Sequence, residues 1–388
     1  MRVLHVIPSL SRVHGGPSEA LALMERALTA QGVDVESATT DDDGPGRRNG
    51  KPCGVPLQEN GVVRRYFAKR LEFYKPAPEL ARWIAREVRH YDLVHIHALF
   101  SFTSTVAARA AYRAGVPYVI RPLGTLNGYG MKQRRPGLKR LSVACIEGPI
   151  LRRAAAVHFT SEAEVAQARP LGIAMREAVI PLGVETSAVP RAPRRPGHVP
   201  CALFLSRLDA KKNLEGLLDA MALLTSNAGA LNLLIAGGGA PEYVSALRAR
   251  AQALGISGRV VWAGHVAGRA KAEAFAAADL FVLPSFSENF GIAAAEALAA
   301  GLPCVLGEGV AIAPDVVRAQ AGVAVGTDAR SIADGLRRIM AREPGLATLS
   351  ANARELAQER FSVQAMGAGL KQLYTTILNG SNGFPGSR

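Results

Sequence analysis

The chain has 388 residues, 48% of them hydrophobic, which is more than one core usually serves, so two domains are expected. Its four cysteines, Cys53, Cys145, Cys201 and Cys304, are scattered without a C-x-x-C pair, which argues against a disulfide framework and a zinc site and for a reducing, cytoplasmic setting. The formal charge of +14 asks for a polyanionic partner: nucleic acid, anionic lipid headgroups or a phosphorylated substrate. With 6% aromatic residues and no recognised binding module, nucleic acid is the least attractive of the three.

The first predicted element is a buried strand at Val3–Ile7; the apolar run around it is too short for a signal peptide, and no later run is long enough to span a bilayer. A soluble or peripheral protein is expected. Gly15-Gly16-Pro-Ser leads into an amphipathic helix, Glu19–Ala30, so a helix N-terminus, a natural anion site, is expected at the edge of the first domain. No G-x-G-x-x-G follows the first strand, which removes the main support for a nicotinamide-dependent dehydrogenase. After a strand at Val33–Ala38, Asp41-Asp42-Asp43 sits in a Gly/Pro loop with no distant ligand in sight and is read as a solvated turn, so no metal is expected. Arg64, Arg65, Lys69 and Arg70, then Lys132 to Arg140, Arg152 and Arg153, make the first domain basic, either as a solvated face or as a docking surface for anionic lipid. The strand Leu93–Ala98 ends on His97, with His95 two residues earlier on the same face; such histidines are ordinarily satisfied core residues. Strands at Tyr118–Arg121, Ala156–Thr160 and Ala178–Pro181 complete one α/β unit.

Ser187–Pro200 carries four prolines among arginines and is expected to link the two domains. A second alternating series follows, with strands at Ala202–Ser206, Leu231–Ala236, Val260–Trp262, Leu280–Leu283, Pro303–Leu306 and Gly322–Val325 and helices at Leu214–Leu224 and Tyr243–Ala253. Two doubly wound domains are therefore predicted: 1–189, a linker at 190–200, and 201–364, then a helix over 365–380 and a frayed tail at 381–388. Ser206-Arg-Leu-Asp-Ala-Lys-Lys-Asn213 leaves a strand end and fixes Arg207 and Lys212 where they can neutralise a diphosphate without a metal. Gly237-Gly238-Gly239 follows the next strand and is either a tight turn or a loop whose bare backbone admits a nucleotide. The stretch Phe281 to Glu296 runs from strand through Pro-Ser-Phe-Ser-Glu-Asn-Phe-Gly into an Ala-rich helix. Gly291 frees the turn, the helix N–H groups point at an anion, and Glu288 and Glu296, eight positions apart, can reach one cleft at different depths.

This ordered set, apolar strand, Pro-Ser, Glu288, Asn-Phe-Gly, helix, Glu296 and Ala-Gly-Leu-Pro, resembles the donor-site signature of the family 4 retaining glycosyltransferases. The likeness covers most of the chain, from Gly15-Gly16 through Ile180-Pro-Leu-Gly-Val-Glu185 to the last helix. It implies a GT-B fold, two Rossmann-like domains facing across a cleft with the final helix crossing back to the first. It also implies transfer of a hexose from a UDP- or GDP-sugar, with retention, to a hydroxyl of a glycan or polyprenyl-diphosphate-linked acceptor in polysaccharide synthesis, with no cofactor. By the resemblance Arg207 and Lys212 hold the diphosphate, Glu288 orients the donor sugar, and backbone N–H groups of Asn289, Phe290 and Gly291 hold phosphate and sugar. Glu296 then binds the ribose, Gly16 and Gly238 admit the ligand backbone-close, and His97 lies near the reacting face. The chain departs from the family pattern at Ser206 and Asn213, where glycines are usual. A nucleotide-sugar epimerase or phosphorylase of the same fold, or a catalytically silent glycan- or lipid-binding relative, fits the same residues.

Overall fold

The computed structural model describes residues 1–11, 13, 16–126, 136–185, 198–224, 231–341 and 345–380. They form two compact units: Met1–Gly183 with the C-terminal helix Val363–Gly380, and Val184–Ser362. Residues 186–197, which include most of the predicted linker 190–200, and the tail 381–388 lie outside the described residues. Val184 and Glu185 fall in the second unit, because the Val184 N–H donates to the Phe361 carbonyl and pairs it to that unit's end.

The first unit is an eight-stranded sheet in the order β3-β4-β2-β1-β5-β6-β7-β8. In chain order these are β1 Arg2–Val6, β2 Asp34–Thr40, β3 Pro56–Glu59, β4 Val62–Phe67, β5 Leu93–His97, β6 Tyr118–Arg121, β7 Ala156–Phe159 and β8 Glu177–Val179. All pairs are parallel except β3 with β4. The central strands read as near-continuous apolar runs because helices cover both faces. Leu4, Val6, Val94, Ile96 and Ile120 share one core with Leu80, Trp83 and Ile84 of α2 (Pro78–Glu87) and with Ala107 and Ala111 of α3 (Phe102–Arg113). On the other side α1 (Gly16–Ala30) packs against Val363–Gly380. The two come close enough that a Cβ on Gly367 would lie 2.9 Å from Ala27 Cβ, and Lys371 caps the Gln31 carbonyl at 2.7 Å.

Two expectations fail in this unit. The sequence reading contained no β3 or β4, yet Asn60-Gly61 joins them with φ of 51° and 83°, the positive pair that a tight type I′ hairpin requires. Asp41-Asp42-Asp43 is not a solvated turn. Asp42 is fully buried between Lys69, itself 3% exposed and bonded at 2.7 Å, and Lys75 at 2.5 Å, while Asp41 accepts from the Lys69 N–H at 2.8 Å. Likewise the basic run that includes Arg64 and Arg65 is largely spoken for: Arg64 pairs with buried Glu25 and with Glu59, and Arg65 with Glu36.

The second unit is a fully parallel six-stranded sheet, β11-β10-β9-β12-β13-β14, with β9 Cys201–Leu205, β10 Asn232–Ala236, β11 Val260–Gly264, β12 Leu280–Leu283, β13 Cys304–Gly307 and β14 Gly322–Val325. From β9 the chain winds outward one way through β10 and β11, then returns to β12 and winds the other way. The strand order thus reverses between β9 and β12, as it does between β1 and β5 in the first unit. Such reversal points open a crevice beyond the carboxyl ends of the strands.

Candidate functional site

The reversal in the second unit brings the loops after β9 and β12 together. Lys212 ends the 3₁₀ turn Ala210–Lys212 and forms an ion pair with Glu288, both side chains largely buried. Ser285, fully buried at the end of β12, donates to the same Glu288 oxygen at 2.9 Å, so the carboxylate is held from two sides. The loops are also tied through their backbones: the Phe286 N–H donates to the Lys211 carbonyl and the Glu288 N–H to the Gly309 carbonyl after β13. Asn213 takes φ 57° and ψ 43° and donates to the carbonyls of Pro284 (3.2 Å) and Thr327 (2.8 Å). This explains the departure from glycine there. Asparagine tolerates the left-handed region and adds two bonds that glycine lacks.

Gly291, at φ 98°, starts the helix Ile292–Ala299, and a Cβ there would stand 2.9 Å from Val310 Cγ1. No side chain caps that helix start, so its first N–H groups lie at the mouth of the crevice. The Phe290 ring turns inward onto Phe361, edge to face at 5.6 Å, which leaves only its backbone for a ligand, and Asn289 is half-buried beside it. Glu296, one turn into the helix, pairs with Lys271 of the helix Gly268–Ala277 at 2.6 Å. Lys271 was not foreseen, because nothing in its local sequence marks it.

Arg207 and Gly238 line a separate pocket of about 300 Å³ with Asp209 and Tyr243. The glycine triplet divides its roles. Cβ atoms on Gly237 or Gly239 would collide with the Ser206 and Leu208 carbonyls, at 1.8 and 2.5 Å, whereas one on Gly238 would meet only His265 Cβ, in ordinary contact at 4.0 Å. Two of the three glycines therefore serve the packing of two loops, and only Gly238 is open to a ligand.

In the first unit Gly16 opens α1 after β1, and His97 ends β5, the two strands that flank the other reversal. Gly15 lies outside the described residues. His97 is fully buried and belongs to a histidine cluster. Its Nε2 lies 2.9 Å from His5 Nδ1 and its ring stacks on His95 at 4.3 Å. His158 Nε2 sits 2.9 Å from the Ile180 carbonyl, so it must carry a proton there, and His158 Nδ1 then accepts from His95 Nε2 at 3.4 Å. His95 Nδ1 is thereby left to accept the Tyr374 hydroxyl at 2.6 Å. Burial, aided by the neighbouring buried Arg121 guanidinium, pushes the His5 and His158 imidazoles down to about 3 and holds His95 and His97 well below the usual range. All four are neutral at pH 7. His97 is thus uncharged and fully enclosed, and its carbonyl accepts from the Ser104 hydroxyl at 3.4 Å. Nitrogens of His5, His95 and His97 lie within 4.8 Å of one another, a spacing that admits a metal ion, but the Arg121 charge opposes a cation there.

Residues 15–183 match the family described as glycosyl transferase 4-like domain, and residues 187–356 match glycosyl transferases group 1. Among curated relatives, the D-inositol 3-phosphate glycosyltransferase of Xylanimonas cellulosilytica is 33% identical over 182 residues, 46% of this chain and 43% of that protein. The chain thus spans less than half the length of that relative. Sucrose-phosphate synthase from Thermosynechococcus elongatus superposes with a TM-score of 0.76 at 21% identity, covering 98% of this chain and 99% of that one. Anabaena Alr3699/HepE in complex with UDP-glucose superposes with 0.71 at 20% identity, covering 98% and 100%. At these identities the structures speak for the fold, two parallel α/β units of the GT-B class.

Proposed function

The chain belongs to the group 1 glycosyl transferases and is a glycosyltransferase of GT-B type, and from that premise we propose that it moves a hexose from a UDP- or GDP-sugar to a hydroxyl of a glycan or polyprenyl-diphosphate-linked glycan, with retention, in polysaccharide synthesis. The observation that carries this reading is the Lys212–Glu288–Ser285 cluster at the β9/β12 reversal, beside a helix start opened by Gly291. A preorganised cation and helix N–H groups stabilise a departing diphosphate, and the fixed carboxylate orients sugar hydroxyls. Arg207 adds a planar fork for phosphate oxygens from the adjoining pocket, and Glu296 accepts from ribose hydroxyls once Lys271 yields. As the sugar–phosphate bond breaks, the acceptor oxygen forms its bond on the same face and hands its proton to a phosphate oxygen of the leaving group. No protein nucleophile, cofactor or metal takes part. UDP-glucose is bound in HepE, a structural neighbour, which supports a nucleotide-sugar donor here.

A thermal-shift screen of UDP-, GDP- and ADP-sugars in excess EDTA tests the donor, since a ligand of the folded state alone raises stability with occupancy. One nucleotide-sugar class is expected to stabilise the protein, and labelled sugar is expected to reach an acceptor with chelator present. Turnover that stops with EDTA and returns with Mg²⁺ or Mn²⁺ would remove the metal-free reading.

The protein is further proposed to work on an anionic inner membrane face. Among the described residues no helix is long and apolar enough to cross a membrane. The helix Pro136–Ser142 presents Lys139 and Arg140 with Leu138 and Leu141 more than half exposed; Lys132, Arg134 and Arg135 lie outside the described residues. Each surface cation contributes about 1 kcal/mol at low salt. Co-sedimentation with anionic but not zwitterionic vesicles is expected, lost when all five are changed to Ser; unchanged sedimentation of that variant leaves the patch a solvated face.

A further inference from the structure

The first unit carries a basic pocket at the opposite end of its sheet from the strand ends just described. α3 places Arg109 and Arg113 four residues apart, so both guanidinium groups leave the same face of the helix. The helix Gly148–Arg153 ends on Arg153, whose guanidinium lies over the Tyr112 ring at 4.7 Å. Tyr118, the first residue of β6, is fixed nearby by its hydroxyl donating to the Ile150 carbonyl at 2.6 Å. Together these groups line a pocket of about 210 Å³. Because α3 ends just before β6 begins, the pocket sits at the amino-terminal edge of the sheet, whereas Gly16 and His97 follow carboxyl ends.

The pocket stands out by its charge. Several arginines of this unit are matched, Arg64 with Glu25, Arg65 with Glu36 and Arg169 with Glu177. None of Arg109, Arg113 and Arg153 has a carboxylate partner among the described residues, and all three are exposed. Three forks with five N–H donors each, one held in place by an aromatic ring, match the oxygens of a phosphate group better than any neutral ligand. The volume is below the roughly 300–1,000 Å³ typical of drug-sized ligands, which suits a phosphate or diphosphate group. We propose that Arg109, Arg113 and Arg153 bind a phosphate group on a ligand other than the sugar donor, carried either by a soluble phosphorylated molecule or by a phospholipid headgroup.

Calorimetry with inorganic pyrophosphate on the full chain tests this, in an Arg207→Ala/Lys212→Ala background that silences the proposed donor site. One pyrophosphate per chain is expected there. Changing Arg109, Arg113 and Arg153 together to Gln is expected to weaken it at least about tenfold, and the triple Lys variant to fall between, since Lys keeps the charge and loses the fork. Unaltered thermal melting shows that the exposed changes spare the fold. Absence of pyrophosphate binding in the background, or undiminished binding in a folded Gln variant, overturns the proposal. Failure of the donor reading shows separately, as nucleotide binding that ignores the Arg207 and Lys212 changes. Co-sedimentation with phosphatidylglycerol vesicles separates the sources. Loss of vesicle binding in the Gln variant assigns a lipid headgroup, and loss of pyrophosphate binding alone assigns a soluble ligand.

Discussion

At the residue scale, the cluster at the β9/β12 reversal has a consequence that isolated charges lack. Lys212 and Glu288 are paired with each other, so removing either one leaves the other partly buried without its counter-charge. Glu288→Gln and Lys212→Ala are each expected to lower transfer about a hundredfold, roughly 3 kcal/mol of transition-state stabilisation, with the fold intact. Because the two act as a unit, the double variant is expected to lie within about tenfold of the worse single one in steady-state kinetics. Losses that multiply in full would show that the residues work independently. The same cluster explains why Asn213 replaces the family's glycine: the position demands a left-handed backbone, and asparagine meets it while tying Pro284 and Thr327 together.

At the element scale, the connection from β2 to α2 was the least legible stretch. Its acidic run reads as solvated because three consecutive aspartates in a Gly/Pro loop ordinarily are. Their partners, Lys69 and Lys75, arrive only when β4 docks parallel to β2 and carries the following loop back over them. Asp42→Asn is therefore expected to destabilise the first unit by about 1–3 kcal/mol, since Lys69 then keeps only the half-exposed Glu72 as a counter-charge and Lys75 loses its charged acceptor. Urea unfolding of the variant measures this. A midpoint equal to wild type would mean that the lysines swing out to solvent. The β3–β4 hairpin, by contrast, carried a local signal, Asn60-Gly61 between two β-prone runs, that a reading of Arg64 and Arg65 as surface charge passed over.

At the scale of the whole molecule, the histidine cluster couples stability to pH. His5, His95, His97 and His158 are neutral in the folded protein, facing one another, Arg121 and Tyr374, while the Glu164 carboxylate acts on Arg121. Their folded values lie below the unfolded value of 6.5, so the unfolded chain takes up protons first as pH falls. Stability is fully present above about pH 6.5 and is lost on acidification down to about 3, the folded value for His5 and His158. Each histidine that stays neutral contributes a slope of about 1.4 kcal/mol per pH unit. The urea midpoint is expected to fall steeply between pH 6.5 and 4, and less steeply in His158→Gln; a flat profile would place these rings in contact with solvent. The sequence by itself determined the two doubly wound units, the boundaries of most parallel strands and the strand-to-helix loop from Pro284 to Glu296, because hydrophobic period, turn glycines and strand-to-helix order are local properties of the chain. Tertiary structure alone decided that Glu288 meets Lys212, that Glu296 meets Lys271, that His97 meets His5, and that His95 meets His158 and Tyr374. Those partners lie between 25 and 279 residues apart in the chain, and only strand register and helix packing bring them within reach of a hydrogen bond.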